Sequence, residues 1–374
     1  MLILKTLFWG SLGALAWTHA GYPLAAAAAG RVRTKRVRKG DIEPTVTLIV
    51  PAYNEEAVIG RRLENLLALD YPADKLELVV SSDASDDGTD AIVEEVASRQ
   101  PRVRLLRWDR GGKLPGLDKT VAATESDVVA FTDANTTWAP DALAKLVRNF
   151  ADEDVAYVCG RLTLQTGDGA NREGVYWRYE LWLRESESRL GSITGGNGSI
   201  YAIRRSDYLE APFGHDLSFP PLAVKRGRRA VYEREAIAYE KPTPESVDEF
   251  RRKVRMLPWS WGFLLSGRSL RGVPAVYAIE LVSHRHLRYA SGALHVVLLG
   301  TNIALVGEGP LYQVGMAAQA AWLALAAAGR LRAPIPGAAI ADYYLLMTTA
   351  TLASLVRYLR SGASLTWEKA EGTR

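Results

Sequence analysis

The sequence predicts an α/β protein in which a mostly parallel sheet has helices on both faces and transmembrane helices stand at both ends of the chain. Two observations lead to this class. Short β-branched apolar runs alternate with amphipathic helical stretches in the middle of the chain, the pattern of a parallel sheet covered on both faces. Long runs almost free of charge lie near both termini, although the 374 residues average only 48% hydrophobic and 24% charged.

The first 30 residues, 1–30, predict a transmembrane helix. Thr6 to Gly30 contains no Asp, Glu, Lys or Arg, and about 20 such residues cross the hydrocarbon core. A basic linker is predicted at 31–43, and basic residues beside a span stay in the cytoplasm. A cleaved signal peptide is the alternative, although signal peptides carry their charge before a shorter apolar region. The middle of the chain is therefore expected in the cytosol.

Three more apolar runs predict transmembrane helices over 289–356. The turn at 307–309 has no basic residue, which suits the outside, whereas Arg330 suits the cytosolic side. Strict alternation puts the tail, 357–374, outside, while its basic residues favour the inside, so the orientation of the last run stays open. The segment 261–288 predicts an amphipathic stretch at the membrane interface, with a surface helix of the soluble domain as the alternative. Together these runs predict a multi-pass protein of the cell inner membrane with a cytoplasmic catalytic domain at 44–260.

Polar side chains follow three predicted strands of that domain. Strands are predicted at 46–50, 76–81, 103–107, 128–132 and 155–160, and helices at 55–69, 88–99, from 140 onward and at 217–225. The first strand runs into Pro51-Ala-Tyr-Asn-Glu-Glu56, the second into Asp83 and the fourth into Thr132-Asp-Ala-Asn135. Ligands of such sheets bind at the carboxyl ends of the strands. These side chains are therefore expected around one ligand.

These motifs resemble the family 2 glycosyltransferases of the GT-A fold. The resemblance continues through Gly111-Gly-Lys113, Gly195-Gly-Asn-Gly198, His215-Asp216 and Arg251-Arg-Lys-Val-Arg255, and it covers about residues 44–260. The flanking apolar runs resemble membrane polysaccharide synthases of the cellulose, hyaluronan and poly-N-acetylglucosamine type. The resemblance implies an inverting hexosyltransferase that moves a sugar from a nucleotide-diphosphate sugar, UDP-linked, to a membrane-associated polysaccharide or lipid acceptor.

The resemblance also implies a role for each matching residue. Asp216 is the expected general base, with a helix N-cap as its alternative role. The residues expected to bind the donor nucleotide are Pro51, Tyr53, Glu55, Asp83, Lys113 and Asp133. For Lys113, an ordinary solvated lysine is an equal alternative. The residues expected near the diphosphate or the acceptor are Asn135, Gly196, Asn197, Arg252 and Arg255.

A Mg²⁺ or Mn²⁺ ion is the expected cofactor, held by Asp133 and Asn135, because it would neutralise the leaving diphosphate. The chain departs from the family pattern at Asn135, where the second Asp is missing, and at His215, where an acidic partner is missing. The expected partners are a nucleotide sugar, a glycan or lipid-linked acceptor, and membrane lipid. A net charge of +4 gives no case for nucleic acid. The competing hypothesis is a catalytically impaired membrane protein that binds nucleotide sugars.

Overall fold

The structure is a computed structural model that describes residues 1–165, 174–211, 213–241 and 246–363. The chain divides into two compact units. The sheet unit comprises Ala29–Pro244 and Arg268–Pro274, and the helical unit comprises Met1–Ala28, Glu245–Gly267 and Ala275–Ala363. The predicted tail lies outside the described residues from position 364 onward.

Strands and helices alternate through the sheet unit, and helices alone make up the helical unit. The strands are β1 Val46–Ala52, β2 Leu76–Asp83, β3 Val103–Trp108, β4 Val128–Phe131, β5 Thr137–Trp138, β6 Val155–Leu164, β7 Tyr201–Arg204 and β8 Arg229–Glu240. The α-helices are α1 Leu2–Ala16, α2 Tyr22–Val32, α3 Ile59–Leu67, α4 Thr89–Arg99, α5 Lys113–Ala122, α6 Ala142–Val147, α7 Val175–Leu190, α8 His215–Lys225, α9 Ser246–Met256, α10 Pro258–Leu265, α11 Ala275–Leu281, α12 Leu287–Tyr289, α13 Ser291–Leu305, α14 Pro310–Arg330 and α15 Ala338–Ser361. Two π-helical turns, Trp17–Gly21 and Val282–His286, stand between helices.

The strands form one sheet in the order β3-β2-β1-β4-β7-β6-β8-β5. β1 pairs in parallel with β2 and β4, and β2 pairs in parallel with β3. β7 runs antiparallel to β4 and β6, and β5 runs antiparallel to β8. The prediction of a mostly parallel sheet is therefore correct for β1 to β4 and wrong beyond β4, where the sheet is mixed. β7 has only four residues, and β8 pairs with β6 through a register shift between Gly160 and Arg161, so neither strand shows a regular apolar pattern.

The sheet is covered on both faces, as predicted. Leu48 and Val50 of β1 belong to one apolar cluster together with residues of α3 and α6. Ile49, between them in sequence, belongs to a second cluster together with residues of α5 and α8. Since successive strand residues point to opposite faces, this alternation holds β1 in the centre of the domain. The carboxyl end of β1 lies beside the carboxyl ends of its parallel neighbours β2 and β4.

The basic stretch predicted as a linker, 31–43, is part of the folded sheet unit. Lys39 Nζ forms an ion pair with the buried carboxylate of Glu233 at 2.7 Å. The backbone N–H of Arg38 donates to Asp152 Oδ2 at 3.1 Å. The positive charge of the stretch is thus partly neutralised within the unit.

Three helical stretches are long and apolar enough to cross a membrane, among the residues that the structure describes. They are Ser291–Glu308, Pro310–Arg330 and Ala338–Ser361. The amino-terminal stretch is not among them, so the prediction of transmembrane helices at both ends is corrected to the carboxyl-terminal end. α1 and α2, which have 15 and 11 residues on either side of the π-helical turn Trp17–Gly21, are each shorter than the roughly 20 residues that cross the hydrocarbon core.

The helix α1 packs antiparallel to α13 inside the helical unit. At one end Lys5 Nζ lies 3.1 Å from Glu308 Oε2. Past the other end of α1, His19 Nε2 lies 3.2 Å from Ser291 Oγ. An apolar cluster lies between these contacts, formed by Phe8, Leu15, Leu298, Leu305 and Tyr312.

The segment predicted to be amphipathic, 261–288, includes α11 and the π-helical turn Val282–His286. Val276, Ile279 and Val282, spaced three residues apart, are exposed. Glu280 and His284 are buried. Tyr277 and Leu281 are buried as well, so apolar side chains lie on both the buried and the exposed side, and the place of the segment at a membrane interface stays a prediction.

Candidate active site

The carboxylate of Asp83, at the end of β2, holds the loop that follows β3. Asp83 Oδ1 accepts hydrogen bonds from the backbone N–H of Gly111 at 2.8 Å and of Gly112 at 3.0 Å. The carboxylate also pairs with the Arg110 guanidinium. Gly112 has a φ of +93°, a conformation that favours glycine. Asp83 thus fixes the loop and is itself only 4% exposed.

Arg110 lies between Asp83 and Tyr53. Its guanidinium carbon stands 3.4 Å from the centre of the Tyr53 ring, a cation–π arrangement. Arg110 was not among the residues predicted for the site, although its position directly before Gly111-Gly112 was a usable signal. Of the other residues expected at the nucleoside, Pro51 is buried within β1. Glu55 is also buried, and its backbone N–H donates to Thr89 Oγ1 at 2.7 Å.

The same loop leads to Asp133, which follows β4. Lys113, the first residue of α5, places Nζ 2.5 Å from Asp133 Oδ1. Ser199 Oγ donates to the other oxygen, Oδ2, at 3.2 Å. A side chain at Gly198 would come within 3.9 Å of both Lys113 Nζ and Asp133 Oδ2. The loop held by Asp83, the carboxylate of Asp133 and the turn at 195–199 therefore meet.

The turn at 195–199 in turn contacts the start of α8. The backbone N–H of Gly196 donates to the carbonyl oxygen of Asp216 at 2.8 Å. A Cβ at Gly196 would stand 2.1 Å from the Tyr157 hydroxyl oxygen, so only glycine has room there. Burial raises the pKa of Tyr201 well above its usual value, and the charges of Asp133 and Asp216 raise it further. Both carboxylates thus act on the same hydroxyl.

Asn197 uses both ends of its amide within the protein. Its Nδ2 donates to the Gly160 carbonyl at 2.9 Å. Its Oδ1 accepts from the backbone N–H groups of Ser199 at 3.1 Å and Ile200 at 3.0 Å. The side chain of Asn197 therefore orders the turn.

His215, where the family pattern has an acid, lies in a buried aromatic cluster. Its Nδ1 is 2.7 Å from the Tyr201 hydroxyl and its Nε2 is 3.4 Å from the Tyr208 hydroxyl. The Tyr208 hydroxyl donates to Asp118 Oδ1 at 2.6 Å. Burial, helped by the positive charge of Lys113, lowers the pKa of His215 to about 3. His215 is therefore a neutral, anchored side chain that fixes the start of α8.

Two buried arginines, Arg184 and Arg62, contact the turn 195–199 and the end of β4 and were not among the predicted site residues. Arg184 of α7 donates from Nη2 to the Gly196 carbonyl at 3.1 Å and is 4% exposed. Arg62 of α3 donates to Thr132 Oγ1. Burial lowers the pKa of Arg62 to about 9, against the opposing charge of Asp133. Nothing in the sequence marked either residue, because arginines on amphipathic helices are normally solvated.

The donor set around Asp133 suits Mg²⁺ or Mn²⁺ in part. No group of three or more His, Cys, Asp or Glu side chains converges in the described ranges. Mg²⁺ commonly uses only one or two protein carboxylates together with substrate phosphates. Asn135 Nδ2 lies 3.4 Å from Glu240 Oε1, so a second carboxylate stands beside the position where the family Asp is missing.

Arg252 and Arg255 belong to the helical unit, whereas Asp83, Asp133 and Asp216 belong to the sheet unit. On α9, Arg252 forms a bidentate ion pair with Glu249, with distances of 2.9 Å from Nε and 3.0 Å from Nη2. The local charge of Arg252 is thus largely balanced by Glu249.

Comparison with known proteins agrees with this geometry. Residues 47–211 match the family described as Glycosyl transferase family 2. A Beta-monoglucosyldiacylglycerol synthase of Synechocystis sp. is 38% identical over 164 residues, which cover 42% of this chain and 33% of that protein. An N-acetylglucosaminyltransferase of Rhizobium meliloti is 27% identical over 299 residues, 69% of this chain and 67% of that protein. The chain spans about a third of the length of the first curated relatives it matches.

A solved structure shares the fold. The mannosyltransferase PcManGT from Pyrobaculum calidifontis, solved in complex with GDP-Man and Mn²⁺, superposes with a TM-score of 0.72. The match covers 96% of this chain and 98% of that one at 24% identity. This similarity supports the GT-A-like α/β architecture.

The fold and the strand-end carboxylates thus agree with the architecture of a glycosyltransferase domain. Residues 47–211 match Glycosyl transferase family 2, and the names of the relatives agree with the prediction of a glycosyltransferase.

The neutral state of His215 predicts an acid-sensitive fold. Because the folded pKa is about 3 and the usual value is 6.5, the unfolded chain takes up a proton over this range that the folded chain does not. Stability should therefore fall as pH drops from 6.5 toward 3, by up to about 1.4 kcal/mol per pH unit. In His215→Gln this contribution should disappear, so that its melting temperature changes less with pH. Equal pH slopes for both proteins, measured by thermal unfolding in detergent, would contradict the assignment.

Proposed function

We propose that the protein is an inverting glycosyltransferase that moves a sugar from a UDP-linked donor to a membrane-associated polysaccharide or lipid acceptor. One observation carries the proposal. Asp83, the Lys113–Asp133 ion pair and the start of α8 with Asp216 are joined through two loops, 110–113 and 195–199. These contacts support a shared ligand site at the carboxyl ends of the strands, where such sheets bind ligands.

The donor nucleoside would bind along Pro51, Tyr53, Glu55 and Asp83. The Tyr53 ring offers a flat face to the base, which requires the Arg110 guanidinium to move aside or to join the stack. Asp83 would accept a hydrogen bond from the base edge while keeping its bonds to the loop amides. Nucleotide binding and loop position would thus be coupled through one carboxylate.

The donor diphosphate would lie beside Lys113 and Asp133. Mg²⁺ or Mn²⁺, held by Asp133 with Asn135 and the phosphates, would neutralise the charge of the leaving group. Lys113 adds a positive charge at the same place and would turn from Asp133 toward the phosphate. Arg252 and Arg255 are proposed as further diphosphate contacts, and for Arg252 this requires the ion pair with Glu249 to open.

Asp216 would act as the general base. It lies in the first turn of α8, where the helix dipole favours the ionised carboxylate. The proton of the acceptor hydroxyl passes to Asp216 and the hydroxyl oxygen forms a bond to the anomeric carbon. The bond from that carbon to the diphosphate breaks, and the nucleoside diphosphate leaves from the opposite side. A single displacement of this kind inverts the anomeric configuration.

The membrane supplies the acceptor in this proposal. Three apolar helices in the helical unit and the exposed apolar side chains of α11 support a multi-pass membrane protein. The basic residues beside the apolar runs, among them Arg31 and Arg330, support a catalytic domain that faces the cytoplasm. The match to a Beta-monoglucosyldiacylglycerol synthase of Synechocystis sp. supports a lipid acceptor, and the match to an N-acetylglucosaminyltransferase of Rhizobium meliloti supports a glycan. The impaired-domain alternative rested on Asn135 and His215. It loses weight because His215 has a structural role and Glu240 stands beside Asn135.

Asp216→Asn should lower the transfer rate by about 10²- to 10⁴-fold, the usual contribution of a general base. Binding of UDP, measured by calorimetry on detergent-purified protein, should stay unchanged. Asp141→Asn, a carboxylate on the exposed surface before α6, is the matched control and should keep full activity. Transfer by Asp216→Asn at the wild-type rate from a panel of UDP-, GDP- and dTDP-sugars would reject Asp216 as the base.

Asp133→Asn should weaken metal binding by about 10- to 100-fold, the loss that follows when a residue supporting a metal site is replaced. The measurement is Mn²⁺ binding in the presence of UDP by electron paramagnetic resonance, which does not depend on turnover. Asp109→Asn, in the loop before Gly111, is the matched control. An unchanged Mn²⁺ affinity in Asp133→Asn would remove Asp133 from the proposed metal site.

Topology can be read with single surface cysteines, because the native Cys159 is fully buried. A membrane-impermeant maleimide should label Gly307→Cys in intact bacterial cells. It should label Ser98→Cys, on the exposed side of α4, only after the membrane is opened. Labelling of Ser98→Cys in intact cells would put the catalytic domain outside and contradict the proposed function.

A further inference from the structure

Polar side chains of the helical unit converge near one end of its long helices. His19 Nε2 lies 3.2 Å from Ser291 Oγ and 3.1 Å from the Tyr344 hydroxyl. His295 Nε2 lies 2.8 Å from the same hydroxyl. Arg288 Nη2 donates to the Thr18 carbonyl at 3.4 Å and stands within electrostatic range of both His19 and Tyr344. We call these five residues, His19, Arg288, Ser291, His295 and Tyr344, the basic cluster.

Two π-helical turns build this cluster. Trp17 Nε1 in the first turn donates to Ser283 Oγ in the second at 2.8 Å. Thr18 Oγ1 donates to the Ser283 carbonyl at 2.6 Å. The first turn carries His19, and Arg288 follows the second. π-helical turns inside helices recur at functional sites, and the pairing of two such turns fixes the positions of His19 and Arg288 beside each other.

The depth of the cluster suits a lipid headgroup. Ser291 begins α13 and His295 lies one turn later, while Tyr344 lies about 9 Å along α15 from its first residue. Lys5 and Glu308 mark the opposite end of the same bundle. The cluster therefore lies within about 10 Å of one end of the helices, the depth at which phosphates meet the hydrocarbon core.

The surroundings of the cluster suit an acyl chain. The Trp322 ring packs edge-on against the Tyr344 ring with centroids 5.8 Å apart, and Trp322 is 40% exposed. Val296 and Leu323 are exposed as well. Basic and hydroxyl groups therefore stand next to outward-facing apolar side chains, an arrangement that matches a phosphate attached to hydrocarbon tails.

We infer that the basic cluster binds the phosphate of an anionic membrane phospholipid. The phosphate oxygens would accept hydrogen bonds from the Arg288 guanidinium, a histidine ring and the Tyr344 hydroxyl, which are charge-assisted and therefore strong. Ionisable groups at membrane depth mark binding sites or pathways by default. The inference rests on the proposed membrane placement of the helical unit and adds a ligand site outside the transfer chemistry.

The test measures binding of fluorescent dioleoylphosphatidic acid to the full chain in a neutral detergent. Wild type should bind it saturably, and the double variant Arg288→Gln/His295→Gln should bind at least tenfold more weakly. Tyr344→Phe keeps the ring and removes only the hydroxyl, so a smaller loss, about threefold, is expected. Arg360→Gln, which removes one exposed positive charge near the end of α15, is the control and should bind like wild type.

Competition separates the sources of affinity. Unlabelled phosphatidic acid should displace the probe, dioleoylglycerol should not, and inorganic phosphate should do so only at concentrations at least 100-fold higher. Displacement by dioleoylglycerol as effective as by phosphatidic acid would reduce the site to an apolar groove and overturn the inference. Displacement by inorganic phosphate at equal concentration would also overturn it, since the ligand would then not be a lipid.

Folding and function are followed in the same samples. UDP binding and the melting temperature of the variants should match wild type, and a variant that keeps both but also binds phosphatidic acid normally would overturn the inference. Lipid binding needs no donor or acceptor sugar. A protein that binds phosphatidic acid through the basic cluster but transfers no sugar would refute the proposed function alone, and the reverse result would refute this inference alone.

Discussion

The candidate site depends on the contact between the Asp83 carboxylate and the backbone of Gly111 and Gly112. This contact ties the end of β2 to the loop after β3, and the loop carries Lys113 to Asp133 at the end of β4. A buried carboxylate without these amides would be strongly destabilised, because removing one partner leaves the other unsatisfied. The relative positions of Arg110, Lys113 and Asp133 follow from this one interaction.

Much of the sheet unit could be predicted from the sequence because its first half obeys simple rules. β1, β2, β3 and β4 are short apolar runs followed by turn residues, and their carboxyl ends meet as parallel strands require. The second half could not be predicted in the same way. β7 is too short for a pattern, and β8 carries Glu233, Arg234 and Glu235 in its middle, opposite a register shift. Long-range pairing stabilises both strands, and local sequence does not report it.

The site was predictable only where a residue stands at a strand end. Asp83 and Asp133 stand at strand ends and are linked through the loop 110–113, whereas Asp216 lies in the first turn of α8 and contacts the turn 195–199 through its backbone, and the roles of all three stay predictions. Arg184 and Arg62 act from the middle of helices, so only the tertiary structure brings them to this edge. Asn197 and His215 were predicted from their motifs to stand at the ligand or the base, but the hydrogen bonds of their side chains are made within the protein. In the helical unit, hydropathy predicted four spans, of which the three toward the carboxyl terminus are long and apolar enough to cross a membrane, but it could not reveal the π-helical turn within the first apolar run.

The tight approach of Tyr157 to Gly196 has a consequence for how this enzyme can diversify. Since any methyl group at position 196 would collide with the Tyr157 hydroxyl oxygen, the turn 195–199 has no room for a larger residue there while Tyr157 stays in place. A larger residue at position 196 therefore requires a smaller residue at position 157 at the same time. In directed evolution, a replacement of Gly196 would therefore be tolerated only together with a replacement of Tyr157.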